Sequence, residues 1–536
     1  MKIKNKNRLV DLLVFAIVAS VAIMPLFFSL PFRDNIYLSW EGAYRMFNGQ
    51  SPFKDFGMPM GYIYWLLPTL SFYLFGPYLF SLVKIQVFIN LISGVSFYLI
   101  IRRFSSDRGI WVASVLLYVL SFSFYNFWPW YNHTVIVLEF IALAFLLSAI
   151  NIDSGGLVKK HILVGASAFF CFLSFFTKQD GGAFAILVCG TILFYYVLAS
   201  KNWTPFLIFV LGLIVTALLF IIPLIEHNFT YWFNVGQAPH SSRIYLRDFL
   251  DAIIGGSAMI KFYFLLIVLV LIRKSGDGLS WVFDVKFMVH LLLTLGILFQ
   301  ASILQVTSYV PADGNIYYHS FAFFFVLANT NLNCSFEKPR NFIILSLLIV
   351  FWWSGLYWKY ANRMFGQLFS FQDKSQSVVS ISSYAKNLDT TIMDKSKWDF
   401  SKYRAFDRIK LPLETIDGMN KLVDWNDSFK GEPKILNMSE LTPLAEVLGY
   451  KYESGIPLWY HLNVGMFQRE MDLINKRIRL NHYDLVLFEY IPHLNNFYPF
   501  EVREVLIENY ELLDSFQAPR ELTTEVIEVY VRKQEE

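Results

Sequence analysis

The sequence predicts a polytopic α-helical membrane protein that ends in a C-terminal soluble α/β domain. The first observation is an uneven distribution of charge. Residues 1–357 hold 38 of the charged side chains, about 11% of that part, and residues 358–536 hold 49, about 27%. A soluble protein is about a quarter charged, so only the second part has the composition of a water-exposed domain.

The second observation is a series of apolar stretches long enough to cross a bilayer as helices, roughly 17–25 residues each. About eleven transmembrane helices are predicted. They lie near 10–30, 79–101, 110–127, 134–150, 162–177, 181–199, 205–225, 258–272, 285–305, 317–330 and 341–357. We therefore expect a membrane domain over 1–357 with a first outer loop over 31–78, a linker over 358–379 and an α/β domain over 380–536.

Composition also excludes two classes of protein. There is no strongly basic domain or stripe, which argues against binding to nucleic acid. The three cysteines are Cys171 and Cys189, in apolar runs, and the isolated Cys334, so a disulfide scaffold is excluded too.

The lysines and arginines of the connecting segments predict the orientation in the membrane. Fifteen lie in the N-terminus and the loops on the same side, against eight on the opposite side. This bias puts the N-terminus in the cytoplasm. With an odd number of spans, the C-terminal domain lies outside a bacterial cytoplasmic membrane; ten or twelve spans would put it inside.

The outer side also carries cations, which is contrary to the usual bias, and they lie beside carboxylates and aromatic residues. Lys178 precedes Gln179 and Asp180, Arg243 follows a polar loop, and Arg33 follows the first span. Such groups suit the binding of an anion such as a phosphate near the membrane surface. The simpler reading is that these are ordinary polar loops and that Lys178 extends to the headgroups.

Carboxylates in the first outer loop are candidates for chemistry. Asp34 follows the first span almost at once and can act as a general base or help to hold a divalent cation. Glu41 lies on the same face if 35–47 is helical. The aromatic-rich segment 62–76, interrupted by Pro68, is predicted to be an interfacial helix rather than a further span.

Several motifs together resemble the GT-C superfamily of integral-membrane glycosyltransferases. After the first span the chain has, in this order, an Asp, an aromatic-rich helix, the run Gly-Gln-Ser-Pro-Phe-Lys-Asp-Phe (49–56), a Pro and a Gly-Tyr pair. Two further motifs follow, Tyr-Asn-His (131–133) and Thr-Lys-Gln-Asp-Gly-Gly (177–182). The pattern is similar to the polyprenyl-phosphate-sugar-dependent enzymes of the protein O-mannosyltransferase and lipid A aminoarabinose transferase type, which are family 39-like. The resemblance covers residues 1–357.

The resemblance implies an inverting transfer of a sugar from a polyprenyl-phosphate donor to a hydroxyl of a lipid, glycan or protein acceptor. Asp34 would be the catalytic base. The residues expected to bind substrate are Arg33, Glu41, Asp55, His133, Lys178, Gln179, Asp180, Arg243, Tyr318 and His319. The family often carries an Asp-Glu pair where this chain has Asp34-Asn35, which argues against a strong need for a metal.

Other readings remain open at this stage. A transporter or flippase of lipid-linked glycans is the main alternative, although no internal repeat is visible. A non-catalytic scaffold would explain the C-terminal domain but not the Asp34 loop. His133, Tyr318 and His319 can be interfacial anchors, whereas the intramembrane Glu139 is a functional candidate whose partner the sequence does not reveal.

The C-terminal domain follows an α/β pattern without an evident catalytic motif. Strands are predicted over 434–438, 483–489 and 526–532, and helices over 440–449, 465–480 and 499–510. Ser439 is the expected N-cap of the first of these helices. No phosphate loop, metal cluster or nucleophile elbow is evident in the sequence. From its position, the domain is expected to select the acceptor or to cover the active site.

Overall fold

The structure is a computed structural model that describes most of the chain. The described residues are 2–33, 36–124, 126–151, 156–233, 245–276, 278–307, 316–330, 334–365, 398–495, 497–520 and 524–533. Asp34, Arg243 and most of the predicted linker lie outside these ranges.

Helices account for almost all of the first two thirds of the chain. Their bounds are α1 Lys2–Ile23, α2 Ile36–Phe47, α3 Ile63–Phe75, α4 Leu79–Ile101, α5 Arg108–Tyr118, α6 Ser121–Phe124, α7 Tyr131–Ile150, α8 Leu157–Phe175, α9 Gln179–Ser200, α10 Thr204–Ile221, α11 Phe229–Trp232, α12 Leu246–Leu250, α13 Ala258–Ser275, α14 Val285–Thr307, α15 Ile316–Asn329, α16 Pro339–Trp352 and α17 Ser354–Phe365. The helical membrane fold predicted from the sequence is confirmed.

Among the described residues, seven helices are long and apolar enough to cross a membrane, and a bent pair formed by Leu246–Gly255 and Ala258–Ser275 would make an eighth. Three of the eleven predicted spans are instead short. The stretch 110–127 is divided into α5 and α6, 317–330 is the 14-residue α15, and 341–357 is divided between α16 and α17. Hydropathy located these helices correctly but not the breaks within them.

Two compact units are formed, and neither is continuous in sequence. The first, called the helical unit below, contains residues 1–25, 86–223 and 241–367. The second, called the mixed unit, contains 26–85, 224–240 and 368–536. The domains predicted from the sequence, in contrast, are each continuous in the chain. Helix α17 extends to Phe365, into the predicted linker 358–379, and the rest of that linker lies outside the described residues, so this boundary stays a prediction.

At one end of the helical unit, polar contacts join the segments that the charge count assigned to the cytoplasmic side. Asp11 of α1 accepts hydrogen bonds from Tyr98 at 2.6 Å and Arg102 at 3.4 Å. Asp107 accepts one from the Phe336 N–H at 2.9 Å. These contacts agree with the predicted grouping of the loops, while the side of the membrane on which they lie stays a prediction.

At the opposite end of the same unit, α8 and α9 meet in a very tight turn. A Cβ added to Gly182 in α9 would lie 2.0 Å from the Phe175 Cα, which is a backbone atom and cannot move aside. A Cβ on Gly181 would lie 2.9 Å from Val135 of α7. The two glycines therefore allow α7, α8 and α9 to approach closely just after Lys178, as small residues do between membrane helices.

The mixed unit is built from two sheets with helices around them. Its remaining elements are β1 Leu30–Pro31, β2 Trp398–Phe400, β3 Ile409–Pro412, α18 Leu413–Ser428, β4 Ile435–Met438, α19 Leu444–Leu448, α20 Gln468–Arg479, β5 Leu485–Tyr490, α21 Phe500–Asn509, β6 Tyr510–Gln517 and β7 Val526–Arg532. The strand orders are β1-β3-β2 and β4-β5-β7-β6. β1 follows the first membrane helix directly and pairs in parallel with β3, so the start of the first outer loop is a strand of this unit.

The predicted α/β character of the C-terminal part is confirmed, and all three predicted strands are present. The prediction of Ser439 as a helix N-cap is wrong. Helix α19 begins five residues later, at Leu444 after Pro443, and the Ser439 hydroxyl instead hydrogen-bonds Asn437 Oδ1 at 2.6 Å. The fixed φ of Pro443 suits the start of a helix, which explains the later beginning. The elements α18, β2, β3 and β6 were not predicted.

The α8–α9 turn provides a test of the fold. Gly182→Ala should lower the midpoint of thermal unfolding in detergent, because the new methyl group overpacks against a backbone atom, at a cost of about 1–3 kcal/mol. Gly190→Ala is the matched control, since it lies in the same helix with no atom within 4 Å of the added Cβ. Equal midpoints for the two variants would contradict this packing.

Candidate active site

The predicted residues Lys178, Gln179 and Asp180 lie at the N-terminus of α9, next to the N-terminus of α7. The Lys178 Nζ is 3.0 Å from Asp180 Oδ2, and both side chains are largely buried. The same ammonium lies 5.7 Å from the centre of the Tyr131 ring, in the first turn of α7. His133 is in that turn too, and its Nδ1 accepts a hydrogen bond from the Asn126 N–H at 3.4 Å. Four sequence-predicted residues are thus brought to one end of the helical unit.

The electrostatics of this cluster favour an anion. Two helix N-termini, of the 20-residue α7 and the 22-residue α9, lie at the same end, and each carries a partial positive charge. Burial lowers the pKa of Lys178, and the nearby Asp180 carboxylate opposes that shift by stabilising the ammonium form. A phosphate placed here would share Lys178 with Asp180.

Several buried polar atoms in this region have no hydrogen-bond partner among the described residues. They are Trp128 Nε1, Asn132 Oδ1 and Thr134 Oγ1, all within or next to the first turn of α7. Buried polar atoms are nearly always satisfied in folded proteins, so an unpaired group indicates a bound water, ion or ligand. Donor and acceptor atoms of this kind can hydrogen-bond to a hydroxyl-bearing ligand.

Tyr318 and His319 form a second buried cluster in the helical unit. His319 Nδ1 is 3.0 Å from the Tyr263 hydroxyl, and its ring stacks on that of Tyr318 with centroids 4.2 Å apart. Trp353 contacts the other side of the imidazole, at 6.0 Å between centroids. These aromatic rings pack against one another within the bundle. Their predicted role in binding substrate stays a prediction.

Glu139 of α7 has a partner that sequence reasoning could not identify. Gln300 of α14, 161 residues away, donates from Nε2 to Glu139 Oε2 at 2.6 Å, and both residues are fully buried. Polar groups inside a membrane bundle pair with one another because hydrocarbon offers no alternative partner. The pair therefore joins α7 to α14, while Glu139 Oε1 and Gln300 Oε1 have no hydrogen-bond partner among the described residues.

In the mixed unit, the segment that contains the predicted catalytic base is fixed on both sides. Asp34 itself lies outside the described residues. Before it, Leu30 and Pro31 pair with Ile409 and Lys410 of β3, and Phe32 donates to the Lys410 carbonyl at 2.9 Å. Arg33 is exposed. After it, helix α2 begins at Ile36 and is buried on all sides over its first ten residues.

Glu41, predicted to bind substrate, forms a buried ion pair with Arg45 one turn later in α2. Arg45 Nη2 is 2.6 Å from Glu41 Oε1, and both side chains are almost completely buried. The Arg45 guanidinium also donates to the Ile456 carbonyl at 3.1 Å and lies 4.5 Å from the centre of the Tyr452 ring. Glu41 is therefore the counter-ion of an arginine that holds α2 against the 452–456 segment. Its spacing from Arg45, i and i+4 on a helix, is a signal that the sequence contained.

Asp55 has a comparable position at the end of the Gly-Gln-Ser-Pro-Phe-Lys-Asp-Phe motif. Its carboxylate accepts hydrogen bonds from the Ser51 N–H at 2.8 Å and from the Ser454 hydroxyl at 3.0 Å. The Gly455 N–H donates to the Asp55 carbonyl at 2.7 Å. The motif thus attaches the first outer loop to the C-terminal segment of the same unit.

No group of three or more His, Cys, Asp or Glu residues suited to hold a metal ion is found in the part of the chain that the structure describes. Since Asp34 lies outside that part, its suggested role in holding a divalent cation stays a prediction.

Comparison with solved structures identifies the fold. ArnT from Cupriavidus metallidurans bound to undecaprenyl phosphate superposes with a TM-score of 0.52 at 10% identity, over 98% of each chain. The apo state of ArnT gives 0.52 at 12% identity, over 99% of this chain and 98% of ArnT. The chain has the fold of ArnT. This confirms, at the level of the fold, the predicted resemblance to GT-C membrane glycosyltransferases.

Other comparisons are weaker. The mycobacterial arabinofuranosyltransferase AftD aligns with a TM-score of 0.47 at 12% identity, over 98% of this chain and 40% of AftD. No protein-family profile and no curated protein matches the sequence. The likeness to ArnT is therefore structural and extends over the whole chain.

The Glu41–Arg45 pair makes a testable prediction about the mixed unit. Arg45→Met should destabilise the protein by about 3–5 kcal/mol, because it leaves a buried carboxylate without its counter-ion. Thermal unfolding in detergent measures this effect, and Arg247→Met is the control, since it breaks an i, i+4 ion pair with Asp251 in which both side chains are exposed.

The same variant should respond to pH in a defined direction. Burial raises the pKa of Glu41 from 4.5 to about 7 even with Arg45 present, and removing Arg45 moves it further upward. A folded state that holds a proton more tightly than the unfolded chain loses stability as pH rises between the two pKa values. Up to about pH 7 both proteins lose this contribution alike, and above that value only Arg45→Met continues to lose it. The deficit of Arg45→Met should therefore be steady up to about pH 7 and grow above it, and a deficit that shrinks above pH 7 would contradict the buried pair.

Proposed function

We propose that this protein is a membrane glycosyltransferase that moves a sugar from a polyprenyl-phosphate donor to an acceptor hydroxyl at the outer face of the cytoplasmic membrane. The observation that carries the proposal is the ArnT fold over 98% of the chain, because one of the matching ArnT structures is bound to undecaprenyl phosphate. The cationic end of the helical unit, with Lys178 and two helix N-termini, offers a fitting environment for a lipid phosphate.

In the proposed reaction, the Asp34 carboxylate accepts the proton of the acceptor hydroxyl. The hydroxyl oxygen attacks C1 of the sugar, the bond from C1 to the phosphate oxygen breaks, and the polyprenyl phosphate leaves with that electron pair. Attack from the face opposite the leaving group inverts the anomeric centre. An aspartate carboxylate is ordinarily ionised near neutral pH, so Asp34 suits the role of base.

The leaving phosphate gains negative charge as the bond breaks, and fixed positive groups lower the energy of that change most effectively. Lys178 is the candidate for this role because its ammonium is already oriented by Asp180 and Tyr131. The unpaired polar atoms of Trp128, Asn132 and Thr134 would meet sugar hydroxyls or phosphate oxygens. Arg33 and Arg243 are further cations that could approach the donor.

Loss of the base should nearly abolish transfer. With a radiolabelled polyprenyl-phosphate sugar and cell-envelope acceptors, Asp34→Asn should lower the rate by about a thousandfold, since general-base catalysis contributes about 10²–10⁴. Asp11→Asn is the control, because Asp11 lies at the end of the helical unit opposite the Lys178–Asp180 cluster.

Three outcomes of that assay would contradict the proposal. Equal labelling by Asp34→Asn and the unmodified protein would remove Asp34 from the reaction. Movement of the labelled lipid across vesicles without any transfer would favour a transporter instead. A product with the donor's own anomeric configuration would exclude the single displacement.

Neutralising the proposed phosphate site should slow the reaction while leaving the fold intact. Lys178→Gln should lower kcat by roughly 100-fold, the usual cost of losing one group that stabilises developing negative charge. Lys159→Gln, an exposed lysine in the first turn of α8 at the other end of the bundle, should keep the full rate. Equal rates for both variants would exclude Lys178 from the site.

A further inference from the structure

The C-terminal part of the mixed unit contains a cavity that the proposed reaction does not use. It has a volume of about 350 Å³ and lies between α18 and the strands β6 and β7. Small-molecule sites are usually clefts of about 300–1,000 Å³ with apolar walls and a few polar groups. This cavity is at the lower end of that range and suits a single small ring.

Its walls combine an apolar floor, an aromatic side and a charged rim. Leu422 and Val529 form the buried floor, and Trp425 lines one side. On the rim, Lys421 Nζ lies 2.7 Å from Asp514 Oδ2, with Lys421 mostly exposed and Asp514 partly buried. The Trp425 indole is half buried and is supported from behind by Phe429, whose ring centre lies 5.1 Å away.

A local irregularity in the sheet directs the rim residue towards the cavity. β6 is an edge strand, and its register with β7 advances from Leu512 opposite Tyr530 to Asp514 opposite Val529, so Leu513 is an extra residue. A β-bulge of this kind changes the direction of the following side chains and is common next to functional sites. The Ser515 N–H donates to Asp514 Oδ1 at 2.9 Å, which holds the carboxylate in place.

Gly418, on the cavity wall in α18, allows this helix to pack closely against β6. A Cβ at this position would come within 2.1 Å of the Phe516 ring, so even alanine would displace the strand from the helix. The Lys421 ammonium hydrogen-bonded to Asp514 keeps the pKa of that carboxyl below its usual value, so the rim offers a charged acceptor beside a charged donor.

We infer that this cavity binds one hexopyranose unit of a glycan, with the apolar C–H face of the sugar on Trp425 and its hydroxyls on Asp514 and Lys421. A carboxylate accepts hydrogen bonds from two neighbouring hydroxyls, and an ammonium donates to a third. The aromatic ring and the leucine and valine floor take the remaining apolar surface. Neither a purely apolar nor a highly charged ligand would satisfy both parts of the lining.

This inference is independent of the proposed transfer reaction, because it concerns binding alone. The full chain would be purified in a detergent without a sugar headgroup, since maltosides or glucosides would compete for the cavity. The probes are the methyl glycosides of D-glucose, D-galactose and D-mannose. Saturation-transfer NMR detects binding at about 10 mM saccharide, and titration gives the Kd.

At least one of the three glycosides should bind, and Trp425→Ala should weaken that binding about tenfold through loss of the stacked ring. Trp425→Phe keeps an aromatic face and should bind within about threefold of the unmodified chain. Asp514→Asn should also bind the glycoside more weakly. Asp427→Asn should not, because Asp427 is an exposed carboxylate of α18 that lies outside the cavity.

Absence of saturation transfer from all three glycosides would overturn the inference. So would binding that Trp425→Ala and Asp514→Asn leave unchanged, because the sugar would then occupy another site. If Trp425→Ala fails to fold, the comparison of Asp514→Asn with Asp427→Asn alone shows whether the glycoside binds in this cavity.

Discussion

Hydrocarbon cannot hydrogen-bond, and this constraint governs where the chain carries polar chemistry. Inside the bundle, the fully buried Glu139 is paired with Gln300 on another helix. Charged residues of the helical unit instead gather at helix ends, where Lys178 and Asp180 lie in one cluster and Asp11 and Arg102 in the other. The need to keep charge out of the bilayer thus leaves the helix ends as the places where a phosphate could be bound.

Buried charge in the mixed unit is likewise paired within the protein. Arg45 inside α2 is neutralised by Glu41 and hydrogen-bonded to the chain at Ile456. Arg520 contacts Glu489 at 2.5 Å and Glu440 at 2.7 Å. Each buried arginine therefore joins segments that are far apart in sequence. The elements on either side of Asp34, strand β1 and helix α2, both belong to this unit. They would support a catalytic loop between them.

Hydropathy was sufficient to predict the membrane helices and the α/β character of the C-terminal part, because these depend on local composition. The breaks were not predictable in the same way: the interruption between α5 and α6 falls within a continuous apolar run. Pairings between distant segments, such as Leu30 with Ile409 or Glu139 with Gln300, have no local signature. Arg45 has a local signal in its i, i+4 spacing from Glu41, but that spacing is the same for a buried ion pair and for one on a helix surface.

Of the predicted site residues, His133, Lys178, Gln179 and Asp180 are brought to one end of the helical unit by helix packing, whereas Glu41 and Asp55 are engaged in holding the first outer loop. The proposed function requires that this end of the unit bind a lipid phosphate. Native mass spectrometry of the purified chain with undecaprenyl phosphate tests it most directly. We expect one bound lipid per chain, lost in Lys178→Gln and retained in Lys159→Gln. Absence of bound lipid in the unmodified chain, or equal binding by both variants, would contradict the claim.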